Sequence, residues 1–130
     1  MTGVYEYLDP EDLVLLARLL SGDPPPVRDL GLRGSAAARP QTTIFGGDAY
    51  PEIWTKAAAL LQSVVKNHRL VDGNKRLGWL ATAVFLDLND KTASATNDDV
   101  HGFVVAVAAG NDMIETIAER LRSIVRRDGS

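Results

Sequence analysis

Two stripes of apolar residues with helical spacing flank a short segment that continues neither. Upstream, Ile53, Ala57, Leu60, Leu61, Val64 and Val65 recur at intervals of three and four, and Leu77, Leu80, Ala81, Val84, Phe85 and Leu88 do so downstream. This spacing predicts two amphipathic helices joined by a loop. The second stripe is apolar nearly all round, so its helix is expected to be central and buried. The joint reads His68-Arg69-Leu70-Val71-Asp72-Gly73-Asn74-Lys75-Arg76. Lys75 and Arg76 fall in the first turn of the second helix, where the peptide dipoles leave a partial positive charge. Cations there cost roughly a few tenths of a kcal/mol each unless an anion joins them. Free N–H groups, the dipole and two cations together describe a phosphate site.

The rest of the chain also reads as helix. Asp9 is placed to cap a first helix, with Pro10 in its first turn and Leu8 and Leu13 spaced as a hydrophobic staple. That helix ends near Gly22, and Asp23-Pro24-Pro25-Pro26 is a stiff connector. A weaker helix is predicted over 28–38, stopping before Pro40. Residues 41–50, with Gly46 and Gly47, read as an irregular flap or short hairpin. Asn97, with Asp98 and Asp99, caps a fifth helix through Ala109; a sixth carries Ile114, Ile117, Leu121, Ile124 and Val125 and ends at Arg126-Arg127. The expected fold class is all-α, a compact bundle of about six helices in a single domain over 1–130.

Composition excludes several classes. The chain has 130 residues, 45% hydrophobic and 24% charged, an ordinary globular mixture with enough chain for one core. It has no cysteine, so disulfides and thiolate metal sites are excluded and a reducing, cytoplasmic setting is expected. The start, Met1-Thr2-Gly3-Val4-Tyr5-Glu6, reads as neither leader nor anchor, and no apolar run is long enough for a membrane span. The net charge of −3 argues against direct DNA binding.

Each residue of the joint also has a plain reading: His68 as a surface or core imidazole, Asp72 as a loop residue or cap, Gly73-Asn74 as a turn, Lys75 and Arg76 as a solvated face. All of these would have to hold together, with two cations still stacked on a positive helix end, so the anion site is preferred. No Gly-x-x-x-x-Gly-Lys-Ser/Thr run exists, which excludes a P-loop. The faint echo of a protein-kinase catalytic loop lacks every other kinase motif. His68 and His101 lack the spacing of a zinc pair, and His101 reads as structural. Trp54 and Trp79 fall on helix faces and read as core or groove wall rather than as ligand-stacking platforms.

The string His68-x-Leu70-x-Asp72-Gly73-Asn74-Lys75-Arg76 is similar to the signature of the Fic/Doc superfamily, closest to its death-on-curing (Doc) branch. The likeness extends upstream through residues 31–40 and through Phe45-Gly46-Gly47-Asp48-Ala49-Tyr50-Pro51, so it covers most of the chain and implies a Fic/Doc-like bundle with a flap before the motif helix pair. Fic AMP-transferases carry Gly-Asn-Gly-Arg with a further Arg three residues on. Here Lys75 replaces the second glycine and Trp79 stands at the last arginine, departures that point toward the phosphorylating Doc type. The resemblance implies a toxin of a toxin–antitoxin module that phosphorylates a threonine of elongation factor Tu and blocks translation, restrained by a Phd-like antitoxin. Thr2-Gly3-Val4-Tyr5-Glu6 matches only half of the family's internal inhibitory element, so inhibition in trans is expected.

The chemistry of the residue types agrees with that transfer. Phosphoryl transfer needs charge neutralisation, in-line positioning and a destination for the nucleophile's proton. His68 carries an imidazole, whose reference pKa of about 6.5 suits a general base at neutral pH. Asp72 supplies a hard oxygen for Mg²⁺. Gly73 allows close backbone approach and Asn74 can position an oxygen. Lys75 is a point charge for phosphate and Arg76 a bidentate fork. Because a lysine would obstruct the backbone anion hole of the AMP-transferases, ATP is expected to bind reversed, with its γ-phosphate toward His68. Two alternatives stay open: an AMP-transferase on the same fold, and a catalytically silent binding module.

Overall fold

The computed structural model describes residues 5–21, 36–66 and 74–129 of the chain. Among these, five long helices dominate: α1 (Pro10–Ser21), α2 (Ile53–Val65), α3 (Asn74–Leu88), α4 (Asn97–Ala109) and α5 (Ile114–Gly129). Of the helix expected over 28–38, residues 36–38 are described; they are helical and run into a 3-10 turn at Arg39–Gln41. The proline connector lies outside the described residues. A two-stranded hairpin, β1 (Thr43–Ile44) and β2 (Gly47–Asp48), completes the set. The protein is thus mostly helical, and none of the described helices is long and apolar enough to cross a membrane.

The first helix begins where its sequence signals place it. The Asp12 amide donates to Asp9 Oδ1 (2.8 Å) and the Asp9 amide to Asp12 Oδ2 (2.9 Å), a reciprocal cap satisfying donors that a helix start leaves open. Leu8 and Leu13, flanking that cap, are both buried. The start of α4 differs from expectation. Thr96 is the cap, its Oγ1 accepting from the Asp99 amide at 3.1 Å, and Asn97 is already helical. Asp98 and Asp99 occupy the first turn as expected. The fifth helix of the set runs past Arg126-Arg127 to Gly129.

The most enclosed helix is α2. Ala57, Ala58, Ala59, Leu60 and Leu61 are all buried within it, and it packs on α3, α5 and the 3-10 turn. Although Leu77, Ala81, Phe85 and Leu86 of α3 are buried, that helix keeps an exposed edge at Lys75, Arg76 and Asp87. The two helices meet closely at Gly78, where a Cβ would lie 2.5 Å from Val65 Cγ1 and 3.1 Å from Leu61 Cδ1. Gly78→Ala is therefore expected to destabilise the fold by about 1–2 kcal/mol, because overpacking outweighs the gain in helix propensity. Denaturant unfolding measures it, and an unchanged or higher midpoint would mean the helices separate at no cost.

The hairpin is tied to this core by two basic side chains. Arg39 donates through Nε to Tyr50 Oη (2.9 Å), through Nη1 to Ser63 Oγ (2.8 Å) and through Nη2 to Gln62 Oε1 (3.2 Å). Lys56, fully buried on α2, donates to the Pro40 carbonyl at 3.1 Å and lies 3.6 Å from Asp48 Oδ2. Its ammonium also sits over the Tyr5 and Tyr7 rings, at 5.2 and 5.6 Å from their centroids. The hairpin tip is Phe45-Gly46, with φ of 52° and 82°. Positive φ at both central residues is what a two-residue hairpin turn requires, and a bulky side chain tolerates it poorly. Phe45 is nonetheless there, and its side chain is fully exposed.

Candidate active site

The first turn of α3 carries the cationic end of the joint. Asn74 opens the helix, Lys75 and Arg76 follow, both exposed, and no acidic residue lies in that turn. Among the described residues neither cation pairs with a carboxylate at 4 Å or less. Among the described residues, no carboxylate therefore offsets the positive helix end. Lys66, at the end of α2, donates through Nζ to the Gly110 carbonyl and fixes that helix terminus before the joint. His68, Asp72 and Gly73 lie outside the described residues, so the structure does not test their expected roles.

From Lys75 and Arg76 a cleft of about 340 Å³ runs between α3 and α4. Helical spacing explains its walls. Lys75 and Trp79, and Arg76 and Leu80, are four apart on α3; Asn97, His101 and Val105 follow the same interval on α4. Val100, Val104 and Leu20, at the end of α1, complete an apolar floor. Trp79 is half-buried, so the reading of it as groove wall holds. His101, read from the sequence as structural, is exposed and lines the cleft. Asn97 and His101 were legible in principle: Asn97, Val100, His101 and Val104 form an i, i+3, i+4, i+7 stripe, but two polar members hid it among core positions.

A second cleft of about 550 Å³ lies at the hairpin root, lined by Tyr5, Asp48, Glu52, Trp54 and Arg122 among others. Its charges are mixed in sign, and no helix N-terminus with paired cations opens onto it. Among the described residues there is no cluster of three metal-ligating side chains. An anionic ligand is therefore better matched by the α3–α4 cleft.

Comparison with known proteins covers the same elements. Residues 7–86 match the model of the Fic/DOC family, a span that contains α1, the hairpin, α2, the joint and most of α3. Toxin Doc of Mycolicibacterium smegmatis (strain ATCC 700084 / mc(2)155) is 45% identical over 115 residues, covering 88% of this chain and 82% of the relative. With the motif, the hairpin before it and the tightly packed helix pair around it all inside the matched span, the chain belongs to the Fic/DOC family.

Proposed function

We propose that this protein is a Doc-like toxin of a toxin–antitoxin module, acting as a kinase that moves the γ-phosphate of ATP to a Ser/Thr hydroxyl of a translation factor. The toxin reading is supported chiefly by 45% identity, over most of the chain, to a protein named Toxin Doc. The choice of phosphate over AMP is supported by Lys75, which stands exposed where AMP-transferases need a glycine, and by Trp79 in place of their last arginine. In this reading His68 accepts the hydroxyl proton as the oxygen attacks the γ-phosphorus and ADP departs. Asp72 holds Mg²⁺, which neutralises phosphate charge when bound. Gly73 and Asn74 shape the approach, and Lys75 and Arg76 carry the phosphates. The first turn of α3, which carries two cations and no acidic residue, fits such a polyanion. The hairpin, with Phe45 bare at its tip, is the surface offered to the protein target, elongation factor Tu being the expected one. A Phd-like antitoxin supplies inhibition in trans, in the cytoplasm.

Incubating the chain and candidate target with α- or γ-labelled ATP tests the reading. Label should pass from the γ position only, and Lys75→Gly should lower that transfer by roughly ten- to hundredfold, the scale of a lost charge-assisted contact. Transfer of α-label with none from γ would make the protein an AMP-transferase.

A further inference from the structure

We propose that the cleft between α3 and α4 is a nucleoside subsite, with the base against Trp79 and its polar edge met by Asn97 and His101. This rests on the ATP reading above and adds which end of the nucleotide the fold holds here. The cleft is divided in character. Leu20, Leu80, Val100 and Val104 make an apolar floor, whereas Lys75 and Arg76 stand at one end as exposed cations. A bare triphosphate has no use for the floor. A wholly apolar segment gains nothing from the cations. A nucleotide has a flat, weakly polar base and a polyanionic tail, and matches both halves.

Size and placement point the same way. A volume of about 340 Å³ is at the small end of ligand pockets, suited to a nucleoside rather than to a helix of a partner. Trp79 lies one helical turn beyond Lys75, so phosphates at the N-terminus of α3 put the base alongside the indole. Indole stacking is indifferent to base identity and needs only a π-face. Selection then falls to α4, where Asn97 and His101 occupy one face, four residues apart, both exposed. An asparagine amide offers a donor and an acceptor side by side, the pattern that pairs with an adenine edge. Because Thr96 caps α4, that amide is not consumed by the helix end.

The chain has two tryptophans, so Trp54→Phe leaves Trp79 as the sole reporter. In that variant ATP should quench the emission and bind at least about tenfold more tightly than inorganic triphosphate. Asn97→Ala and His101→Ala should each weaken ATP by about five- to thirtyfold and leave triphosphate affinity unchanged. Calorimetry on the unsubstituted chain makes the same ATP–triphosphate comparison without depending on Trp54→Phe. Equal affinity for the two ligands, or ATP binding untouched in Asn97→Ala and His101→Ala, would overturn the subsite and leave the nucleotide reading standing. If neither ligand binds, both fall. Trp79 emission that changes with protein concentration alone would place a second copy in the cleft and also overturn it.

Discussion

Lys56→Ala is expected to remove about 3–5 kcal/mol of folding stability, enough to leave much of the protein unfolded at ordinary temperature. Lys56 is wholly buried, yet its ammonium is enclosed by complementary groups: the Pro40 carbonyl, the Asp48 carboxylate and two tyrosine faces. Truncation leaves a cavity lined by Tyr5, Tyr7 and α2, and strips the Pro40 carbonyl of its donor. Asp48 is 43% exposed and can turn to water, so its share of the loss is small. Lys56→Met keeps the aliphatic stem and removes only the charge, and should cost about 1–3 kcal/mol. The gap between the two substitutions separates packing from charge. A Lys56→Ala chain that unfolds at the wild-type denaturant concentration would show that the ammonium does not hold the hairpin root.

Lys56 also shows where sequence reading reaches its end. A single lysine ahead of Ala57-Ala58-Ala59 reads as a solvent-facing residue, since lysines are rarely buried. Its burial depends on Asp48 arriving from the hairpin, Pro40 from the 3-10 turn and Tyr5 and Tyr7 from the N-terminal segment, contacts no local pattern encodes. Local signals were readable where the physics is local: the Asp9–Asp12 cap, the Leu8–Leu13 staple and the apolar stripes of α2 and α3. Around Asn97 they misled by one residue, because Thr96 and Asn97 are both good caps and only backbone geometry chooses between them. The cationic end of the candidate cleft was visible as two charges on the wrong helix end. The α4 wall of the cleft was not, since facing residues on separate helices leave no shared spacing. Gly78 was equally silent, for it looks like a weak point in a helix until Val65 is placed against it.

His68→Ala is expected to reduce phosphate transfer by about 10²–10⁴-fold and to abolish toxicity, while leaving folding and ATP affinity near wild type. The stems of the joint explain why a chemical effect should appear without a structural one. The α2 terminus is held by Lys66 on the Gly110 carbonyl, and α3 packs closely on α2 at Gly78, contacts made by other residues of the two stems. The phosphate contacts proposed for Lys75 and Arg76 are likewise expected to persist in the variant. What disappears is the only side chain of the motif able to take a proton from a hydroxyl near neutral pH. In the proposed reading Asp72 holds the metal and Lys75 and Arg76 carry the phosphates, which leaves the imidazole for the proton. Three measurements on one preparation distinguish the roles: the unfolding midpoint, ATP affinity by calorimetry, and γ-label transfer to the target. A folded His68→Ala protein that binds ATP and transfers phosphate at the wild-type rate would remove His68 from catalysis. Loss of ATP affinity together with transfer would instead make the imidazole part of the nucleotide's binding surface.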